Sequence, residues 1–193
     1  ISPLQKLMAS DADPEERKRS YRTISRNSER ILQLVNQLMD IRKIDKGQML
    51  LKFSQTDIVD FIKDLYQTYQ YQTKAKHIEL MFNTDHDALD AWIDPKNFDK
   101  IILNLLSNAC KFTPEGGKIE IRLSTGSDET EAEALRNYVE IVVSDTGIGI
   151  NESERNRIFD RFYQIRNSQN NSNVGTGIGL HLTRSLVELH YGT

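Results

Sequence analysis

The stretch that most constrains this chain is Asn104 to Gly117, NLLSNACKFTPEGG. With Ile101 and Ile102 before it, the apolar positions Leu105, Leu106 and Ala109 recur at helical spacing and predict a helix packed on a core. Asp94-Pro95 opens this helix with a cap and a first-turn proline, and Pro114-Glu115-Gly116-Gly117 ends it in a turn. Asn104 and Asn108 stand four apart and so share a face, with Lys111 one turn below Asn108. Such a polar row suits a solvated surface. Asparagine is nonetheless a mediocre helix former, and two in an apolar helix invite a chemical reading. An asparagine oxygen can ligate magnesium, which takes oxygen ligands and shares its shell with phosphates. Lys111 would then be a point charge for those phosphates.

Three further stretches follow: Asp145-Thr146-Gly147-Ile148-Gly149-Ile150, Ile158-Phe159-Asp160-Arg161-Phe162-Tyr163 and Gly175-Thr176-Gly177-Ile178-Gly179-Leu180. Neither glycine run is a dinucleotide fingerprint, since Glu152 and Leu180 stand where the third glycine belongs. No Gly-Lys-Ser/Thr phosphate loop occurs either. In this order the four stretches resemble the asparagine, first glycine, phenylalanine and second glycine boxes of sensor histidine kinases, whose ATP-binding domain belongs to the GHKL superfamily. The resemblance runs from Leu50 to the last residue, and a helical hairpin before it also fits.

The resemblance implies an α/β (α+β) two-layer sandwich of the Bergerat type, a mixed sheet with helices on one face, preceded by a truncated helical hairpin. Residues 1–47 would be a partial dimerisation and histidine-phosphotransfer hairpin and residues 48–193 the catalytic ATP-binding domain, without its last strand pair. The implied activity is that of a protein-histidine kinase, using ATP and Mg2+ and relaying phosphoryl to a response-regulator receiver domain. The implied catalytic residues are Asn104, Asn108 and Lys111, with Asn108 as metal ligand. Asp145, Gly147, Gly149, Phe162, Arg166, Gly175, Thr176, Gly177, Gly179 and Leu180 are the implied nucleotide contacts.

The residues support separate roles. A carboxylate at Asp145 can accept a hydrogen bond from the adenine amino group, whereas guanine offers a carbonyl there, so one residue would select ATP over GTP. An aspartate capping the turn after a strand is the plain alternative. Gly147 and Gly149 would admit the flat base, while Gly175, Gly177 and Gly179 open a helix whose free N–H groups suit phosphate oxygens. The same glycines would serve as lid hinges. Phe159 and Phe162 are expected to pack at the base of that lid, with Arg161 structural or exposed. The family often has a basic residue where Gln164 stands; Arg166 would compensate.

Composition narrows the setting. The chain has 193 residues, a formal charge of -3 and 27% charged residues, which gives no general pull toward nucleic acid or anionic membrane. The single cysteine, Cys110, excludes a disulfide framework and reads as core filler in a cytoplasmic protein. A membrane anchor would lie outside the chain.

Read in order, Ile1 to Met8 is a short apolar-polar segment and Ala9 to Pro14 a turn, with Ser10, Asp11 and Asp13 as candidate caps. A long helix is predicted from Glu15 to about Lys46, stopped by Gly47. Its seam of Ile24, Ile31, Leu34, Leu38 and Ile41 asks for a partner helix and, through the hairpin, a homodimer. Arg17, Lys18, Arg19, Arg22, Arg26 and Arg30 read as a solvated face. Most of the first hairpin helix, with its acceptor histidine, is expected upstream of Ile1, Ser2-Pro3-Leu4 lying just beyond that histidine's box.

Strands are predicted at Met49–Phe53, Ile78–Phe82, Ala91–Asp94, Lys118–Ser124 and Tyr138–Ser144. Helices are predicted from Asp57 to Lys74, Glu152 to Phe159 and Gly177 to His190. Ser127–Asn137 reads as a solvated hairpin loop and Ile165–Val174 as a mobile polar segment. None of the four histidines has metal-ligand spacing or sits on the hairpin, although His181 would neighbour nucleotide.

Two other functions fit the same boxes. GHKL-type ATPases carry a glutamate general base where Asn104 stands, and an amide cannot take a proton at neutral pH. A non-catalytic dimerisation scaffold that senses ADP and ATP would keep the boxes without the transfer.

Overall fold

The computed structural model describes residues 13–127, 137–165 and 175–193. The chain divides into two units, one ending at Met49 and one running from Leu50 to Thr193. The segment Ile1 to Met8, with Ser10 and Asp11, lies outside the described residues.

The first unit is built on one helix, α1 (Pro14–Asp45). Proline occupies its first turn with Glu15 and Glu16, and Arg42 and Lys43 occupy its last, the charge order that complements a helix dipole. Asp13 holds the cap position, but its side chain makes no capping bond, so proline and the two glutamates carry the start. Gly47, at φ +62°, ends the helix in a left-handed turn as expected, with Gly47 N donating to Ile44 O and Gln48 N to Lys43 O. Ile31, Leu32, Val35, Leu38 and Met39 are exposed along it. No helix among the described residues is long and apolar enough to cross a membrane.

The second unit runs β1 (Ser54–Asp57), α2 (Ile58–Lys74), β2 (Glu79–Thr84), β3 (Asp90–Ile93), α3 (Pro95–Phe112), β4 (Lys118–Ser127), β5 (Asn137–Asp145) and α4 (Gly179–Leu189). β1 pairs antiparallel with β3. β2, β4 and β5 form a mixed sheet in that order, parallel between β2 and β4 and antiparallel between β4 and β5. Along β4, Ile119, Ile121 and Leu123 are buried while Lys118 and Arg122 are exposed, the alternation of a sheet covered on one face. The core joins these to Ile58, Val59 and Ile62 of α2, Ile101, Ile102 and Leu106 of α3, and Leu182 and Leu186 of α4. This is the expected two-layer α/β arrangement with a mixed sheet.

Two elements differ from expectation. The strand predicted at Met49–Phe53 lies at Ser54–Asp57, in register Ser54 to Ile93 and Asp57 to Asp90. The ladder stops there because Lys52 N donates to the Asp94 side chain (2.8 Å), diverting the backbone to the start of α3. The helix predicted at Glu152–Phe159 is two 3-10 turns, Glu152–Glu154 and Arg157–Phe159. Neither buries a residue, so no apolar stripe holds a longer helix against the core.

Asp94 ties these elements together. It is 5% exposed and accepts from Lys52 N (2.8 Å), Asn97 N (3.1 Å) and Asn97 Nδ2 (2.9 Å). Its own N–H donates to His190 Nε2 (3.2 Å), and His190 Nδ1–H donates to Leu186 O (2.7 Å). Burial pushes the Asp94 carboxyl up, but the hydrogen bonds from Lys52 and Asn97 outweigh it and hold the group below its ordinary 3.8. A depressed carboxyl stabilises the fold above its unfolded value, and that stability is lost as pH falls through the lower folded value. Asp94→Ala should therefore cost about 2 kcal/mol near neutrality, the upper range for a helix cap. Urea melts should show this gap shrinking as pH falls below about 4, where the unfolded chain's aspartate takes up a proton before the folded one does. A gap that does not depend on pH would show that packing, not the carboxylate, is what the residue contributes.

Candidate functional site

The apolar face of α3 is buried through Ile101, Ile102, Leu106, Ala109 and Cys110, which leaves Asn104, Asn108 and Lys111 on a half-buried flank. Tyr69 OH donates to Leu103 O (3.3 Å) and Lys76 Nζ to Cys110 O (2.8 Å), fixing the helix from the α2 side. Burial pushes the Cys110 thiol up, against a smaller pull from Lys76, which suits inert core filler.

Each of the other three stretches meets this helix or a neighbour that does. Beyond α3, Gly117 packs against Thr113 and Thr146. Thr146 in turn exchanges bonds with Lys118: Thr146 N donates to Lys118 O (3.0 Å) and Lys118 N to Thr146 Oγ1 (2.9 Å). The turn at Asp145 is thereby held beside the C-terminus of α3. Asp145 is exposed, and its Oδ1 accepts from Gly147 N (2.8 Å). The plain turn-capping role is thus filled by one oxygen, and the second hydrogen-bonds to no described residue. A Cβ on Gly147 would lie 2.7 Å from Phe112 O, so glycine here permits a close protein contact. Gly149 has φ +69° and open space around it.

The second glycine stretch lies along the same flank. A Cβ on Gly175 would lie 3.1 Å from Lys111 Nζ, so this ammonium faces the stretch. Thr176 Oγ1 accepts from Ile178 N (3.3 Å), and Leu180 is half-buried in the first turn of α4. Gly179 sits directly against the side chain of Asn104, whose Nδ2 donates to Thr183 Oγ1 (2.8 Å). The helix begins at Gly179, two residues later than its pattern suggests, because Gly177 at φ +68° is outside helical backbone.

The phenylalanine stretch docks through its backbone. Phe162 N donates to Gly177 O (2.8 Å), while the Phe162 ring is 63% exposed and its φ is +63°. The expectation that this ring packs is therefore overturned for Phe162: the left-handed backbone turns it outward. Phe159 is half-buried beneath the Arg184 guanidinium (5.9 Å). Arg161 Nε donates to His181 Nε2 (2.9 Å) and His181 Nδ1–H to Phe159 O (3.0 Å), a structural role for both. Gln164 Nε2 donates to Gly175 O (3.0 Å), linking the two flanks of 166–174. Arg166 lies outside the described residues.

The stretches thus come together around α3, with Phe162 on their margin. Thr183, Thr146 and His181 have structural parts that the motif spacing does not announce. For Thr183 the sequence carries no such signal, since it stands with Arg184 and Ser185 between Leu182 and Leu186. Among the described residues no cluster of three or more His, Cys, Asp or Glu could hold a metal, and the amide of Asn108 hydrogen-bonds to none of them.

The crowding around the glycines predicts an order of cost. At Gly177 a Cβ would lie 2.6 Å from the Phe162 carbonyl carbon, in addition to its left-handed backbone. Gly177→Ala should cost about 2–3 kcal/mol, and Gly149→Ala, with strain alone, about 1 kcal/mol. Denaturant unfolding of both variants measures this, and equal costs would show that the Phe162 contact yields freely.

Comparison with known proteins agrees with this geometry. Residues 93–193 match the family described as histidine kinase-, DNA gyrase B-, and HSP90-like ATPase. The chain is 31% identical, over its whole length, to histidine kinase P4 of Formosa agariphila, and covers 14% of that protein. It is 36% identical, again over its whole length, to sensor histidine kinase TmoS of Ectopseudomonas mendocina and covers 19% of it. The chain therefore spans less than a fifth of the length of these relatives. Among solved structures, the catalytic domain of histidine kinase ThkA superposes with a TM-score of 0.58 at 25% identity, over 72% of this chain and 82% of that one. The Asn-Lys flank of α3, the glycine turns around it and the match over residues 93–193 place this chain in the histidine kinase-, DNA gyrase B- and HSP90-like ATPase family.

Proposed function

We propose that this chain is the catalytic part of a sensor histidine kinase, which binds magnesium-ATP and passes the terminal phosphoryl to a histidine on another segment. From there the phosphoryl would go to a response-regulator aspartate in two-component signalling, the setting a cytoplasmic one. The observation that carries this reading is the convergence on α3: Lys111 Nζ facing Gly175, Gly179 against Asn104, and Gly147 against Phe112 O. The names of the relatives support the kinase class.

The donor set fits the nucleotide. Asn108 offers an amide oxygen for magnesium, which needs few protein ligands when phosphates complete its shell. Lys111 and the free N–H groups opening α4 provide positive charge for the phosphates. Asp145 is exposed and uses one oxygen on Gly147 N, so its second oxygen would serve the adenine amino group. Positioning and charge neutralisation are most of what phosphoryl transfer asks of a protein.

Asn104 argues against an ATPase motor. It stands where the hydrolytic relatives have a base, and its amide donates to Thr183 instead of activating water. The chain's histidines are also engaged. His77 meets Glu115 (2.6 Å), His86 meets Thr125 (3.3 Å), His181 joins the Arg161 side chain to Phe159 O, and His190 bridges Asp94 N and Leu186 O. On this reading the acceptor is a histidine on another segment.

Calorimetric titration with ATP and GTP tests the site. The parent should prefer ATP, and Asp145→Asn should weaken ATP by roughly 1.5–3 kcal/mol, the range for a hydrogen bond to a charged group. With terminal-phosphate-labelled ATP and a separately supplied histidine-bearing hairpin, acid-labile label should appear on the hairpin and vanish in Asn108→Ala. Fast hydrolysis without labelled hairpin would favour the ATPase alternative. Nucleotide binding without either reaction would favour the sensing scaffold.

The exposed stripe of Ile31, Leu32, Val35, Leu38 and Met39 on α1 suits a helical-bundle homodimer. Sedimentation should show self-association that Leu38→Glu abolishes. A strict monomer at high concentration would remove α1 as the dimer surface.

A further inference from the structure

We propose that Asn104 and Thr183 form a positioning pair that sets α4, and with it the second glycine stretch, on α3. This deepens the nucleotide-site reading and rests on it for its functional readout. Asn104 touches two points of α4 at once: Gly179 by direct packing and Thr183 through the 2.8 Å hydrogen bond. Those residues are four apart, so they lie on one face, a turn from each other. Contact at both fixes the rotation of the first turn of α4 and its height along α3. Thr183 is 6% exposed and stands between the buried Leu182 and Leu186 on the face that meets the core. Its hydroxyl is therefore not solvated surface but the acceptor that a half-buried asparagine amide requires. Removing it would strand that amide, which is more costly than never having formed the bond.

The consequence falls on the phosphate side. The first full helical bond of α4 runs from Leu182 N to Ile178 O (3.0 Å), and Ile178 N is held by Thr176 Oγ1. The N–H groups of Gly179, Leu180 and His181 lie in the first turn, where no helical carbonyl faces them, and their direction depends on how that turn is seated. Asn104 acts through the glycine helix and is a positioning residue, whereas Asn108 is the one that would hold the metal. The glycine at 179 belongs to the same device, since any side chain there would displace the Asn104 amide.

Thr183→Val removes the acceptor while keeping shape, and Thr183→Ser keeps the acceptor. In calorimetric titrations of the whole chain, Thr183→Val and Asn104→Ala should each weaken ATP about 3–10-fold, the range for one net hydrogen bond. The loss should be equal with magnesium and with EDTA. Thr183→Ser should bind within about twofold of the parent, a difference well below that of one hydrogen bond. The double variant should be no weaker than the worse single one, as for two ends of one interaction. Asn108→Ala, in contrast, should lose affinity only with magnesium. Hydrogen exchange should quicken at residues 179–183 in Thr183→Val, without nucleotide present. Loss in Asn104→Ala confined to magnesium-ATP, multiplying losses in the double variant, or unchanged exchange and affinity in Thr183→Val would each overturn the pair. A parent chain that takes up no ATP would instead end the nucleotide reading, and the exchange measurement would still decide the pair.

Discussion

The site depends on the burial of one face of α3. Ile102 and Leu106 are 1% and 0% exposed, and each such side chain contributes about 1.5–3 kcal/mol over leaving it in water. That packing fixes the helix so firmly that its other flank can hold polar groups in the middle of an apolar sequence. Asp94 sets the first turn, Tyr69 and Lys76 hold the middle and end, and Asn104, Asn108 and Lys111 are then carried at fixed places. A loop carrying the same residues would leave them free to adopt many arrangements.

Glycine determines how closely the rest approaches. At Gly147, Gly177 and Gly179 the missing Cβ is replaced by protein: a carbonyl of α3, the backbone of the phenylalanine stretch and the Asn104 amide. These three are packing glycines: Gly147 and Gly179 bring their turns onto α3, and Gly177 docks the phenylalanine stretch. Gly149 differs, with left-handed backbone and open space. So the two glycine motifs combine two demands, close docking onto the scaffold and a surface left open beside it.

The sequence made the architecture legible where periodicity and capping agreed. The α3 cap at Asp94-Pro95, the stop at Gly47 and the alternation of Ile119, Ile121 and Leu123 all follow from local rules. Failures came where a tertiary bond overrode a local pattern. Met49 to Phe53 has strand composition, yet Lys52 N is captured by a carboxylate 42 residues away, and the ladder forms only beyond Phe53, at Ser54–Asp57. Phe162 looked like a packing aromatic, but its backbone is fixed at φ +63° by the bond to Gly177, which turns the ring into solvent. Asn104 was legible as an unusual residue. Its partner Thr183 was not, since nothing in spacing joins two positions 79 apart.

The histidines bear on the proposed division of labour. A phosphoryl acceptor needs an imidazole nitrogen with a free lone pair. His181 accepts from Arg161 at Nε2 and donates from Nδ1 to Phe159 O, and His190 accepts from Asp94 N at Nε2 and donates from Nδ1 to Leu186 O. In both rings the one basic nitrogen is engaged and the other carries its proton. Both rings therefore serve to pin α4, at its first turn and at its end, and neither can attack without releasing the helix that carries the glycine stretch. A site that orients phosphates through α4 cannot also use the pins of α4 as nucleophiles. On the kinase reading, the two rings that seat α4 belong to the machinery that holds the phosphoryl and are not its acceptor.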